Sequence, residues 1–303
     1  MIKTMAELLE LAKEGEPGRL AVACAQDEYV LKAVAEAAKL RIVDPILVGD
    51  QEEIEKILDK IGMDASGVRI IDEKDNQAAC MKAAELVRDG EADVIMKGFV
   101  DTAVIMKAVL NKENHLRGEG RITHNLVLEV PGYDHLFHVT DSAMSVAPTL
   151  EDKADIIRNS VSVAHALGNE CPKVAVLCAV EKVNPKMQCT VEAAELAEMN
   201  KRGEIEGCLV EGPFALDNAV SEEAAEHKGI HSEVAGKADI LVVPDIEAGN
   251  VLVKSMEYFA GAKKAGVIVG AKVPVALTSR ASSAESKLYT IAVSCLAARA
   301  MQK

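Results

Sequence analysis

Short β-rich runs separated by helical patterns recur along almost the whole chain, and no other feature limits its fold as tightly. RLAVACA (19–25), DPILVGD (44–50), VRIID (68–72), DVIMKG (93–98), KVAVLCA (173–179), CLVEGPF (208–214), ILVVPD (240–245) and PVALTS (274–279) are such runs. Strands alternating with helices specify βα units and mostly parallel sheets, that is, an α/β fold. Between two of them, DNQAACMKAAELVRDG carries its own start and stop, with Asp75 as N-cap and Gly90 just past the end. The hydrophobic residues, 49% of 303, include four Phe, four Tyr and no Trp. An aliphatic interior of that kind suits a buried parallel sheet packed by Ala-rich helices.

One stretch breaks the alternation. HNLVLEV (124–130) and HLFHVTD (135–141), separated by Pro131, Gly132, Tyr133 and Asp134, read as a β-hairpin. A second α/β unit is therefore expected to start near 143, with the last helix, about 283–301, returning to the first unit. Gly249 and Asn250 are expected to open the helix NVLVKSMEYFAGAKKAG.

Charge narrows the partners. A net charge of −14 repels nucleic-acid backbones and anionic membranes, and no basic patch offsets it. A few Arg, Lys and backbone N–H groups inside a cleft still suffice to hold a phosphorylated ligand. The seven cysteines form no C-x-x-C pair and read as reduced core residues of a cytoplasmic protein. In MIKTMAELLELAKEG, Ile2, Met5, Leu8, Leu9 and Ala12 share a helical face while Glu7, Glu10 and Glu14 interrupt any apolar stretch, unlike a signal peptide or membrane span.

In open α/β sheets ligands sit beyond the carboxyl ends of the strands. The residues there are Lys97 and Gly98; Thr140 and Asp141; Glu211, Gly212, Pro213 and Asp217; Asp245, Gly249 and Asn250; and Thr278, Ser279 and Arg280. TSRASSAES (278–286) is the strongest local signal, because hydroxyls, an Arg fork and the N–H groups of a helix beginning at Ser282 or Ser283 converge on one small volume suited to a tetrahedral anion. An ordinary Ser cap beside a surface Arg is the competing reading. Asp217 reads as a helix cap or a substrate contact, and Lys97 either reaches a crevice or snorkels to solvent. His135 and His138 point to opposite faces of a strand, and His227 and His231 straddle Gly229, so no metal site is expected. There is no G-x-G-x-x-G after a strand, no G-x-S-x-G and no complete Walker A motif; GAKKAG (261–266) is followed by Val267.

Four blocks taken in order resemble the phosphate acetyl/butyryltransferase family: APTLEDKADIIRNSVSVAHALG (147–168), VEGPFALDNAV (210–220), SEVAGKADILVVPDIEAGNVLVKSMEYFAGAKKAG (232–266) and LTSRASSAESKLYTIA (277–292). Upstream, MKGFVDTAVIMKAVL, HLRGEGRITHNLVLEVPGYDHLFHVTDSAM and AQDEYVLKAVAEA look like the butyryl branch. The resemblance implies two α/β domains with mostly parallel sheets flanking a cleft, similar to the isocitrate and isopropylmalate dehydrogenases, at 1–142 plus 267–303 and at 143–266. It implies a homo-oligomer, at least a dimer, that moves a short acyl group, butyryl preferred, from acyl-CoA to inorganic phosphate, with coenzyme A and phosphate as substrates and no cofactor or metal.

In the family the Ser-Arg pair contacts CoA and the reacting groups, which falls here on Ser279 and Arg280. The acetyl branch has an Asp proposed as base six residues after that Arg; this chain has Ser286 there, with Glu285 just before it and Ala281 in place of Gly. Glu285 is the substitute base on this reading. Lys97, Thr140, Asp141, Asp217, Asp245, Asn250, Thr278 and Ser286 are the candidate substrate-binding residues. Phosphate acetyltransferase, a dehydrogenase on the shared fold and a non-catalytic acyl-CoA sensor are the alternatives.

Overall fold

The computed structural model describes residues 2–302. Along the chain these form strands β1 (Gly18–Ala23), β2 (Val43–Gly49), β3 (Arg69–Asp72), β4 (Val94–Lys97), β5 (Thr123–Glu129), β6 (Leu136–Thr140), β7 (Lys173–Leu177), β8 (Leu209–Phe214), β9 (Ile240–Val242), β10 (Lys263–Val269) and β11 (Val275–Ala276). The helices are α1 (Met5–Lys13), α2 (Glu28–Lys39), α3 (Gln51–Ile61), α4 (Asn76–Arg88), α5 (Thr102–Val109), α6 (Leu150–Ala166), α7 (Gln188–Lys201), α8 (Leu216–Val220), α9 (Glu222–His227), α10 (Ile246–Ala260) and α11 (Ala284–Met301). Two compact units result, residues 5–120 with 265–302 and residues 121–264 with 2–4.

In the unit of residues 5–120 and 265–302 the strand order is β3-β2-β1-β4-β11-β10. β1 pairs in parallel with β2 and β4, and β11 in parallel with β4, while β10 runs antiparallel to β11 through Val267↔Ala276. Leu20–Ala23 of β1 and all of β4 are buried, which explains why these strands read as continuous apolar runs rather than as alternations. Asp27, Asp50 and Asp75 each cap the helix that follows a strand, accepting from Val30 N, Glu53 N, and Gln77 N with Ala78 N. α11 is buried without a break from Lys287 to Ala298 and packs on α1, α2, β4 and β11. A helix apolar on all sides is one covered on all sides, and each fully buried Leu or Ile in it contributes roughly 1.5–3 kcal/mol of transfer free energy.

In the unit of residues 121–264 the order is β5-β6-β9-β7-β8. The hairpin forms as expected, antiparallel with Val127↔His138. β6 then pairs in parallel with β9, so the hairpin belongs with residues 121–264; the compact units divide at 120/121 and 264/265, where the sequence reading drew lines at 142/143 and 266/267. Alternate residues of β7 and β9 supply two separate cores: Ala175, Leu177 and Leu241 join Phe137 and Phe214, while Val174, Val176, Ile240 and Val242 join Ile157 and Leu196. Thr149 opens α6 with a capping box closed by Asp152.

Three local expectations need correction. The helix after Pro244 starts at Ile246, because Asp245 caps it through Ala248 N, and Gly249 lies inside its first turn rather than opening it. That helix ends at Ala260 with Gly261 in the left-handed region (φ 69°), and residues 263–269 form β10 instead of prolonging it. Lys263, Lys264 and Gly266 dilute the apolar run and hid this strand. Finally, Cys171 is exposed, whereas Cys24, Cys80, Cys178, Cys208 and Cys295 are buried.

Candidate active site

β4 is buried along its whole length and ends in Lys97. Its side chain does not snorkel to solvent: Lys97 is 4% exposed and its ammonium donates to Val100 O at 2.9 Å and Gly98 O at 3.3 Å. The chain can turn there only because Gly98 has no side chain, since a Cβ would stand 2.1 Å from Cys24 O and 2.6 Å from Ala23 O. Gly98 N and Phe99 N donate to those same two carbonyls, each at 2.8 Å. Asp101 occupies the N-cap position of α5 without making a side-chain cap bond. Its carboxylate instead meets Arg280 Nη2 at 2.5 Å, and the Arg280 guanidinium also lies 5.5 Å from the centre of the Phe99 ring.

The turn after β11 is built around Lys287. Ser282 N donates to Ser279 O at 3.1 Å, and the buried Lys287 ammonium donates to Ser279 O at 3.1 Å and Ser282 O at 3.0 Å. The Arg280 loop is thus clasped from beneath while Ser279 and Arg280 face outward, exposed, above a buried Thr278. Ser283 caps α11 through Ser286 N at 3.1 Å. Glu285 is exposed and accepts from Tyr289 Oη at 2.6 Å. Desolvation first, then the Arg280 and Lys287 charges, hold the Lys97 ammonium below the usual lysine range, with Asp101 and Asp27 opposing. Arg280 is thus the partner of an exposed carboxylate while its own side chain remains more than half exposed.

A second group of candidates gathers in the unit of residues 121–264. Thr140 donates to His124 O at 3.0 Å. Asp141 is buried and accepts from His124 N, Ala143 N, Met144 N and Ser145 Oγ at 2.9–3.1 Å, so its carboxylate anchors the loop after β6. That loop meets the start of α10: a Cβ on Gly249 would come within 3.0 Å of Ser142 Cα, and Ile246 N donates to Val146 O. Asp245 caps α10 and Asn250 is exposed on its first turn. Asp217 does not cap a helix. It sits inside the first turn of α8, whose N-cap is Ala215, and pairs with Lys228 at 3.0 Å.

Sequence reading missed Phe99, Asp101 and Lys287. A lysine inside the apolar pattern SKLYTIAV was the available signal for Lys287, because lysine is almost never fully buried without a polar purpose. Asp101 pairs with a residue 179 positions away, and such a pairing has no local signature. Among the described residues no three His, Cys, Asp or Glu side chains are placed to hold a metal ion.

Mostly parallel sheets with a cationic turn after β11 define a protein of the open-sheet α/β class, in which ligands bind beyond the carboxyl ends of the strands. The profile of the family described as phosphate acetyl/butaryl transferase matches residues 3–80 and 74–295. The chain is 51% identical to the phosphate butyryltransferase of Clostridium acetobutylicum over 98% of its own length and 99% of that protein's. It is 48% identical to the phosphate acetyltransferase of Thermotoga maritima, over 96% and 98%. The crystal structure of a branched-chain phosphotransacylase from Enterococcus faecalis superposes with a TM-score of 0.82 at 34% identity, covering 92% of this chain and 98% of that one. The chain belongs to the phosphate acetyl/butaryl transferase family.

Proposed function

We propose that the chain transfers a short acyl group, butyryl preferred, from acyl-CoA to inorganic phosphate, reversibly, giving acyl phosphate and CoA. The observation that carries this reading is the exposed Arg280 guanidinium on a turn that the buried Lys287 holds from beneath, in a chain whose net charge is −14. Phosphate dianion attacks the thioester carbonyl, the carbonyl oxygen gains charge and the thiol sulfur leaves. Two anions must be held side by side, and the Arg280 fork suits phosphate oxygens bidentately. Ser279 hydrogen-bonds the reacting group. The thiol, with a pKa of about 8.5 by analogy with cysteine, needs only a modest cationic or proton-donating partner. Glu285, the base expected from sequence, and Lys97 are candidates at this end to carry the proton.

Thr140, Asp141, Asp245 and Asn250 are proposed as substrate-contacting residues within the unit of residues 121–264, and Thr278 and Ser286 as supports of the turn after β11. Val251, Tyr258 and Phe259 of α10 are 65, 69 and 91% exposed, apolar surface of the kind that subunit contacts cover, which supports a homo-oligomer of at least two chains. Action in the cytoplasm is part of this proposal; among the described residues no helix is long and apolar enough to cross a membrane.

Free thiol followed with acetyl-, propionyl-, butyryl- and valeryl-CoA, with and without phosphate and with no nucleotide or metal added, tests the reading. Phosphate-dependent release greatest with butyryl-CoA is expected. A maximum at acetyl-CoA moves the chain to the acetyl branch, and CoA binding without release makes it a sensor.

A further inference from the structure

We infer that Lys97 is the proton donor to the sulfur of the departing thiol, the role for which sequence suggested Glu285. The inference rests on the acyl-transfer reading and deepens it.

The geometry singles out Lys97 by elimination among the cations of the turn. A guanidinium keeps its proton under all working conditions, so Arg280 supplies charge but no proton. The Lys287 ammonium donates to the carbonyls of Ser279 and Ser282, on either side of Arg280, so taking a proton from it would loosen the turn that carries the guanidinium. Lys97 directs two of its three N–H groups at Val100 O and Gly98 O, which leaves one for a ligand. Among the described residues no carboxylate lies within ion-pair distance of its nitrogen, although the side chain is only 4% exposed. A buried ammonium without a counter-ion is costly, and an arriving anion relieves that cost.

The charges that act on Lys97 come from several elements, Arg280 after β11, Lys287 on α11, Asp101 before α5 and Asp27 before α2, and its own charge acts on the thiols of Cys24 after β1 and Cys80 on α4. Burial and the two cations outweigh the two carboxylates and ease proton release, bringing the ammonium toward the thiol it is to protonate. Glu285 is less suited. Its exposed carboxylate already accepts from Tyr289, and its negative charge opposes charge building on sulfur, whereas an ammonium neutralises it.

The step balances. As the phosphate oxygen bonds to the acyl carbon and the carbon–sulfur bond breaks, the Lys97 N–H pair stays on nitrogen and the proton goes to sulfur. The hydroxyl proton of the attacking hydrogen phosphate, acidified once that phosphate carries the acyl group, then restores the ammonium. Acyl-CoA and HPO4 2− become acyl phosphate dianion and CoA thiol, and the reverse direction uses Lys97 as the base.

Phosphate-dependent thiol release from butyryl-CoA would be measured between pH 6 and 10 for the full chain and for Lys97→Met, Lys97→Arg, Lys97→Ala and Glu285→Gln. Lys97→Met and Lys97→Arg are expected to lose about 10²-fold or more in kcat, with a much smaller change in the KM for phosphate. The unaltered chain and Glu285→Gln should share a basic limb in kcat that Lys97→Met lacks. Small primary ammonium ions should restore turnover to Lys97→Ala, the more acidic ones more effectively per ammonium ion, which a merely structural lysine would not show. Thermal melting of each variant identifies any that does not fold, and the two near-isosteric variants then decide. Folded Lys97→Met within threefold of the unaltered chain, or an unchanged basic limb, overturns the inference and leaves the acyl-transfer reading standing. Absence of phosphate-dependent release by the unaltered chain removes both.

Discussion

Asp101 Oδ1 lies 2.5 Å from Arg280 Nη2, joining the start of α5 to the turn after β11 across 179 residues of sequence. Both side chains are more than half exposed, at 76 and 55%, so the pair adds little to stability, on the order of 0–1 kcal/mol. Its consequence is competition, because any phosphate that takes the guanidinium must displace the carboxylate or share it. Asp101→Asn is therefore expected to lower the KM for phosphate by about 3- to 10-fold, roughly 1 kcal/mol, with an unchanged melting temperature. Phosphate saturation curves check this, and a raised KM would show that Asp101 helps to hold the substrate.

Arg280 stands over Phe99 and faces Asp101 with a planar fork. Arg280→Ala should cost about 10²- to 10³-fold in turnover through lost stabilisation of developing charge. Arg280→Lys should stay within about fivefold of the Ala variant, since a point charge has neither the fork nor the flat face. Steady-state kinetics of both variants settle the point: near-normal turnover by Arg280→Lys excludes bidentate binding.

Gly98→Ala should be among the most damaging single-methyl changes in the chain. The added Cβ would meet backbone oxygens of Ala23 and Cys24, which cannot swing aside as a side chain does. Overpacking against backbone costs about 1–3 kcal/mol or more, and the same shift displaces Lys97. Denaturant unfolding should show the loss, with activity falling further than stability alone accounts for.

His138 is buried, and burial pushes it down to about 4, while Nδ1 faces Asn125 Oδ1 at 3.1 Å. The unfolded chain takes up this proton near pH 6.5 but the folded chain only near pH 4, so the unfolded state binds more protons between those values. Stability from this group is complete above about pH 6.5 and falls by on the order of 3 kcal/mol as pH drops through that window. Urea melts at pH 7, 6, 5 and 4 should show this slope, and His138→Phe should reduce it, leaving the part of the same sign that comes from His124, which burial also holds below its usual range.

The strands were legible wherever burial on both faces made an uninterrupted apolar run, as in β1, β4 and β7. β10 was not, because Lys263 and Lys264 begin it and Gly266 interrupts it. Helix starts are legible where an Asp or Ser alone satisfies the first N–H groups, as at Asp75 and Ser283; Asp245, a candidate substrate contact by sequence, also caps α10. The hydroxyl-rich turn at 278–286 announced itself because its residues are contiguous. Its supports did not: Asp101 reaches it from a distant segment, and the buried Lys287 looked like one more position of an apolar helix. Local chemistry is written locally, whereas the partners that tune it are set by the sheet order.

The most direct test follows phosphorus rather than sulfur. Purified protein incubated with butyryl-CoA and phosphate, and monitored by 31P NMR, is expected to produce an acyl phosphate resonance in step with free thiol, and Arg280→Ala is expected to slow both together. Thiol release without an acyl phosphate signal, under conditions where authentic butyryl phosphate survives, would mean that water and not phosphate is the acceptor and would contradict acyl transfer to phosphate.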